Sequence, residues 1–391
     1  MTDAVIVDVL RTASGRGKQG GALSDVHPAD LYATVLRSLV DRHGLDPGLV
    51  DDVITGCVSQ VGDQGLNIGR TATLVAGFPE HVPATTIDRQ CGSSQQAMHF
   101  AAQGVMSGAY DIVVAGGVES MSRVPMFSNA AGGDPFGPLS ARYPEGLVGQ
   151  GIGAEIIAAR WGLSRQQLDE YAARSHALAT TNAGSGAFAS EIVPIDVEGG
   201  QHTGDETIRA STTVEGLAGL KPSFYDEELG QRFPEIEWSI TPGNSSPLTD
   251  GASAALIMSD ERARQLGLRP RARFHSSSVT GSDPMLMLTG VIPATEKALK
   301  RSGLSIDDID AFEVNEAFAP VPLAWAKELG VDMTKLNPRG GAIALGHPLG
   351  ASGTRLMTTL LGHLEATGGR YGLQTMCEGG GMANATVIEV L

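Results

Sequence analysis

Apolar and polar positions along the chain follow a helical rhythm interrupted by short β-branched runs, and the same order of signals occurs twice. In the first passage Pro28 opens a stretch in which Leu31, Val35, Leu36, Leu39 and Val40 share one helical face, and Gly44 stops it. The run VDDVITGCVS then reads as a strand. Roughly 260 residues later, Pro293 opens TEKALKRS, Gly303 stops it, and IDDIDAFEVNEAFA follows as a strand. The parallel continues. TTID leads into a small-residue turn at CGSS, a helix carrying Met98 and Phe100 as far as Gly108, and the strand DIVVAGG. Its counterpart is the turn GGAIALGHPLGASG, a helix with Leu356, Leu360, Leu361 and Leu364, and the strand YGLQTM running into CEGGG.

Strands alternating with helices of this length predict right-handed βαβ units, largely parallel sheets and two similar α/β halves stacked together. Residues 119–248 have no repeat partner; they are rich in Gly, Pro and Ser, with short helical pieces such as AEIIAARW and SRQQLDEYAARSHALAT. They read as an inserted loop domain that shapes a binding site. The expected division is residues 1–118 plus 249–270 for the first half, and 271–391 for the second.

Composition narrows the class. Hydrophobic residues make up 42% of the 391 positions, charged residues 18% and aromatics only 5%, with 51 glycines, which suits a small-residue-rich α/β enzyme with more than one core. A formal net charge of −16 argues against a nucleic-acid or anionic-membrane binder, since either needs a basic face. No stretch reaches the roughly eighteen apolar residues of a membrane span. The start reads as a strand and a polar loop, not a signal peptide, and ATVIEVL carries no address, so a cytoplasmic location is expected. Cys57, Cys91 and Cys377 are too few for a disulfide framework and form no CxxC pair, leaving catalytic or inert thiols.

Cys91 sits in RQCGSSQQA between a strand and a helix, where backbone N–H groups and the helix dipole favour a thiolate and can hold an oxyanion. On position alone it reads equally as a core cysteine. His347 lies on the matching turn of the other half, with Pro348 fixing the backbone after it; a structural histidine at a sharp turn is the competing reading. Cys377 opens CEGGG at a strand end, where it could face Cys91 as an acid/base or pair with it as a disulfide, which a reducing compartment disfavours. Asn315 follows another strand, and alone it reads as a turn former. Cys57 ends the equivalent first-half strand and reads as a small buried residue.

RQCGSSQQA, VNEAFA, GGAIALGHPLGASG and CEGGG stand in the order and relative positions of the thiolase family. GGVESMSRVP, LAGLKPSF and TPGNSSPLTDGASA extend the resemblance over essentially the whole chain. It implies a thiolase fold: two βαβαβαββ halves about a pseudo-twofold axis, five-layered αβαβα, with an inserted loop domain and assembly as a homodimer or homotetramer. By motif position Cys91 would be the acylated nucleophile, His347 its base, and Cys377 the acid/base at the α-carbon. Asn315 would hold a water in an oxyanion hole, and the N–H groups of Cys91 and Gly379 would form the other. Ser246 and Lys221 would contact coenzyme A, the co-substrate, while Phe318 and Met287 would line the channel; no metal or redox cofactor is implied.

The activity implied is thiolytic cleavage of a 3-ketoacyl-CoA, reversible as a Claisen condensation. Short-chain acetoacetyl-type thiolases commonly carry a His-Met pair where this chain has Gly149-Gln150, which favours a longer or bulkier acyl chain from fatty-acid or ring-containing lipid breakdown. An acetoacetyl-CoA-forming acetyltransferase and a catalytically silent acyl-CoA-binding protein are the alternatives. A ketosynthase or hydroxymethylglutaryl-CoA synthase would lack the combination of NEAFA with a C-terminal CxGGG.

Overall fold

The computed structural model describes residues 3–391. The first half contributes β1 (Ala4–Thr12), β2 (Asp52–Gly56), β3 (Ala84–Ile87), β4 (Ile112–Ser120) and β5 (Thr249–Ser259). The second contributes β6 (Ala272–Gly281), β7 (Ala311–Val314), β8 (Tyr371–Glu378) and β9 (Met382–Val390). In space they run β3-β2-β4-β5-β1, then β6-β9-β8-β7. A parallel bridge from Phe312 to Leu336 extends the second set at the position that β3 takes in the first. Both halves thus share one strand order, the structural counterpart of the sequence repeat. They join where β1 meets β6 antiparallel, at Val5 with Arg273 and Ile6 with Ala272.

The sheets are mixed, not largely parallel as the helix–strand alternation predicts. β2 is parallel to β3 and β4, and β7 to β8, but β5 is antiparallel to β1 and β4, and β9 to β6 and β8. The antiparallel strands β5 and β9 are the last of each half, and neither is joined to the strand before it by a right-handed βαβ unit. In the second half Gly379–Gly381 turn tightly, with Gly380 and Gly381 at φ 81° and 78°, a region that favours glycine. In the first half the return from β4 to β5 passes through the whole insertion.

Helices complete the layers: α1 (Pro28–Arg42), α2 (Ile68–Val75), α3 (Ser93–Ser107), α4 (Gln150–Arg160), α5 (Arg165–Gly184), α6 (Val291–Ser302), α7 (Pro320–Leu329) and α8 (Ser352–Thr367). α1 takes its proline at the first turn and buries the face that the periodicity marks, including Leu31, Val35, Leu36 and Leu39. α6 begins two residues before Pro293, whose missing N–H is unneeded in a first turn. α5 is held by a capping box between Ser164 and Gln167 and runs for 20 residues, longer than the short pieces expected. No helix among the described residues is long and apolar enough to cross a membrane.

β1 shows how the layers form. Val5, Val7 and Leu10 pack under α1, while Ala4, Ile6 and Val9 face the central layer with Ala97, Met98, Leu360 and Leu361 of α3 and α8. The shift in parity follows an irregularity in the β1–β5 register between Ile6 and Asp8. α3 and α8 pack on each other between the sheets, and α6 and α7 cover the far side of the second.

Around the start of α8 the halves touch backbone to backbone. A Cβ on Gly353 would land on the amide nitrogen of Gln95, and one on Gly350 would lie 2.6 Å from Cys57 Cα. Gly353→Ala is expected to cost about 1–3 kcal/mol or more in urea unfolding, because rigid backbone must move. Gly184→Ala, with nothing within 4 Å of the new methyl, is expected to stay within about 0.5 kcal/mol of the parent. Equal stability of the two variants would contradict this packing.

Candidate active site

Cys91 is aimed by a strained turn. Gln90 just before it adopts φ 49°, a left-handed conformation uncommon outside glycine. The turn is held by the Asp88 carboxylate, which accepts from the Gln90 N–H at 2.6 Å, and by Ser93 Oγ, which accepts from Arg89 N–H at 2.9 Å and donates to Gln90 O at 2.6 Å. The thiol is buried, and desolvation first and Glu378 second push it up to about 12. The backbone N–H groups of Cys91 and Gly379 oppose that rise by pointing at the sulfur.

His347 is equally buried, and burial first, then the charge of Arg355, holds it down to about 3. Its tautomer follows from its partners. Ser352 Oγ donates its single proton to Pro348 O at 2.9 Å, so it must accept from His347 Nδ1–H at 2.6 Å. Nε2 is therefore the bare lone pair, and it accepts from Asn315 Nδ2 at 3.3 Å. Thr249 Oγ1 receives the His347 backbone N–H at 3.0 Å. Asn315 itself is fixed by its N–H to Thr375 O at 3.1 Å, and its Oδ1 finds no protein partner.

Cys377 lies on β8, and its thiol is raised well above its ordinary value by burial first and by the neighbouring Cys91 second. All three cysteines are free and buried. A cavity of about 540 Å³ opens onto Cys91 and His347, lined also by Gln150, Phe224, Ser246 and Phe318. Phe224 and Phe318 meet edge to face at 6.0 Å. A side chain at Gly149 would point into open space. Lys221 is exposed, two residues before Ser223 at the cavity wall. Met287 packs against the second-half core and is not among the lining residues.

The site thus places a thiol and an imidazole lone pair at one cavity, with two N–H groups aimed at the sulfur and the second thiol of Cys377 neighbouring Cys91, drawn from both halves. Residues 4–261 match the thiolase N-terminal domain, and residues 268–390 match the thiolase C-terminal domain. The chain belongs to the thiolase family. This thiolase is 50% identical to the steroid 3-ketoacyl-CoA thiolase FadA6 of Mycobacterium tuberculosis, over all of this chain and 95% of that protein. It is 46% identical to the 3-ketoacyl-CoA thiolase of Klebsiella pneumoniae, with both chains covered fully. The crystal structure of the Bacillus anthracis acetyl-CoA acetyltransferase shares its fold with a TM-score of 0.90 at 37% identity, covering 100% of this chain and 99% of that one.

Four polar residues inside the thiolase motifs support the site but were not singled out by sequence. Glu119 accepts from the N–H groups of Val58, Ser59 and Gly350 at 2.8–3.0 Å and from Gln64 Nε2 at 3.0 Å. Glu316 accepts from Tyr171 and Ser175 of α5, from Asn337, and from the N–H of Ile343 on the strand-to-histidine turn. Ser352 sets the histidine tautomer, and Glu378 lies behind Cys91. Charged residues embedded in runs of small and apolar ones were the available signal.

His347 and His99 are both held down to about 3 by burial. An unfolded histidine titrates near 6.5, so below that pH the unfolded chain binds more protons. The stability these neutral rings contribute is complete above about pH 6.5 and is lost as pH falls toward 3. Urea midpoints are expected to drop steadily between about pH 6.5 and 4.5, and His99→Gln and His347→Gln should each flatten that fall. An unchanged slope in both would contradict the burial of neutral imidazoles.

Proposed function

We propose that this thiolase cleaves 3-ketoacyl-CoA thioesters with free coenzyme A, releasing acetyl-CoA or a related short acyl-CoA and a shortened acyl-CoA, in the breakdown of fatty acids or steroid-type lipids. The observation that carries this reading is that Cys91 and His347, with a bare Nε2, open onto one cavity while the Cys377 thiol neighbours Cys91. FadA6 and the Klebsiella enzyme, both named for 3-ketoacyl-CoA, favour that substrate class.

The Cys91 proton passes to His347 Nε2 as the sulfur adds to the 3-keto carbon. The oxyanion so formed is met by the N–H groups of Cys91 and Gly379. As the tetrahedral adduct collapses, the bond between the α- and keto carbons breaks and its electron pair forms an enolate on the leaving acyl-CoA. Protonated His347, together with a water on Asn315, stabilises the enolate oxygen, and Cys377 delivers its proton to the α-carbon. Coenzyme A then gives its thiol proton to Cys377 and attacks the acyl-Cys91 carbonyl. Cys91 leaves as thiolate and takes back the proton from His347. Because burial keeps both thiols and the imidazole neutral at rest, charge develops only once substrate has excluded water.

Ser246, on the cavity wall, is assigned to the pantetheine arm and exposed Lys221 to the nucleotide end. The insertion, residues 119–248, carries coenzyme A and oligomer contacts in this reading. Phe318, on the cavity wall, is assigned to the acyl channel. A homodimer or homotetramer is supported by the exposed Leu66, Leu74 and Val75 beside β3, whose outer edge is unpaired among the described residues. Free thiols suit a reducing cytoplasm.

Gly149-Gln150 in place of a His-Met pair, with Gln150 on the cavity wall, supports acyl groups larger than acetyl. Product analysis across straight, branched and ring-containing 3-ketoacyl-CoAs is expected to show kcat/KM at least about tenfold higher for the bulkier substrates than for acetoacetyl-CoA. A preference for acetoacetyl-CoA would overturn the substrate assignment in favour of an acetoacetyl-CoA acetyltransferase, and no thiolysis of any substrate would favour a binding protein.

A further inference from the structure

Glu378, directly after Cys377, is fully buried, and neither carboxyl oxygen has a hydrogen-bond partner among the described residues. Its Oε1 and Asn384 Nδ2 crowd the same point on Gly92, the residue between Cys91 and α3. Asn384 donates to Gly92 O at 3.1 Å, while its own Oδ1 is buried without a partner. A buried carboxyl that accepts no hydrogen bond is costly to ionise, so its neutral form is favoured. Glu119, the other carboxylate bearing on Cys91, is in a different condition because it accepts from four donors. The charged or titratable groups facing Glu378 are Asp88 and Arg89 on the turn before α3, Cys91 at its start and Cys377 on the same strand; β9 presents Asn384 and Met382.

We propose that Glu378 tunes the nucleophile by proton occupancy: as a neutral acid it permits the Cys91 thiolate to form at the start of α3, and as a carboxylate it opposes that thiolate across Gly92. Burial first lifts this carboxyl to about 8, with Arg89 pulling it down and Asp88 pushing it up, so the changeover falls inside the range where an enzyme works. Glu378 moves no proton to substrate. It acts through Cys91, and the inference rests on the reading of Cys91 as the nucleophile.

The two titrations are coupled, which gives a distinctive profile. With a neutral residue at position 378, the thiolate fraction rises about tenfold per pH unit until Cys91 itself titrates. With glutamate, the rise flattens above about pH 8, because each further thiolate must form beside a carboxylate. The test is the rate of Cys91 alkylation by iodoacetamide from about pH 6 to 10, followed on the Cys91 peptide by mass spectrometry in the full chain. The parent protein is expected to show the flattening. Glu378→Gln is expected to continue upward, exceeding the parent by about five- to tenfold near pH 9.5 while merging with it below about pH 7. No flattening in the parent would overturn the proposal whether or not the variant folds, and flattening in both would assign it to another group. Neither result touches acyl transfer itself, so failure here is separable from failure of the thiolase reading.

Discussion

The catalytic arrangement depends on one steric constraint: around the start of α8, glycines let the backbones of the two halves touch directly. Gly56, at the end of β2, and Gly117, within β4, leave room for the carbonyl of Gly350, and Gly353 leaves room for the first turn of α3. With α3 and α8 so close, the turn that aims Cys91 and the turn that aims His347 open into the same cavity. Glu119 closes the contact, joining the N–H groups of Val58 and Ser59 in one half to that of Gly350 in the other. A buried carboxylate with four donors is well compensated for its lost hydration, and it lies where the halves must not slide.

Reactivity follows from the same burial. Burial keeps Cys91, Cys377 and His347 neutral in the resting site. That site offers preorganised partners: N–H groups at the sulfur, a lone pair fixed by Ser352, and an amide on Asn315. Glu316 links this site to the insertion, since its carboxylate is shared between α5 and the turn that leads to His347. The insertion therefore does more than cover the cavity. Through Glu316 it braces the turn that leads to His347.

Much of this was legible in the residues. The repeat from Pro28 and Pro293 onward announces two alike halves, and the matching turns at CGSS and HPLGASG mark candidate sites, but each alone also has a structural reading, and only their combination with the family motifs points to chemistry. Strand direction was not legible, since β5 follows a long insertion and its pairing depends on where that insertion returns the chain. Glu119, Glu316, Ser352 and Glu378 were visible only as polar letters inside apolar motifs. Whether a carboxylate is capped by N–H groups, as Glu119 is, or left bare, as Glu378 is, depends on elements far apart in sequence. Met287 shows the opposite limit: an apolar residue expected at the channel packs into the second-half core.

The central claim is that Cys91 carries the acyl group between the two half-reactions. Rapid mixing with a 3-ketoacyl-CoA in the absence of free coenzyme A, followed by acid quench and peptide mass spectrometry, tests it most directly. The account predicts an acyl mass on the Cys91 peptide that disappears when coenzyme A is added before the quench. Acylation of Cys377 or Cys57 instead, or turnover with coenzyme A and no acyl-enzyme without it, would contradict it.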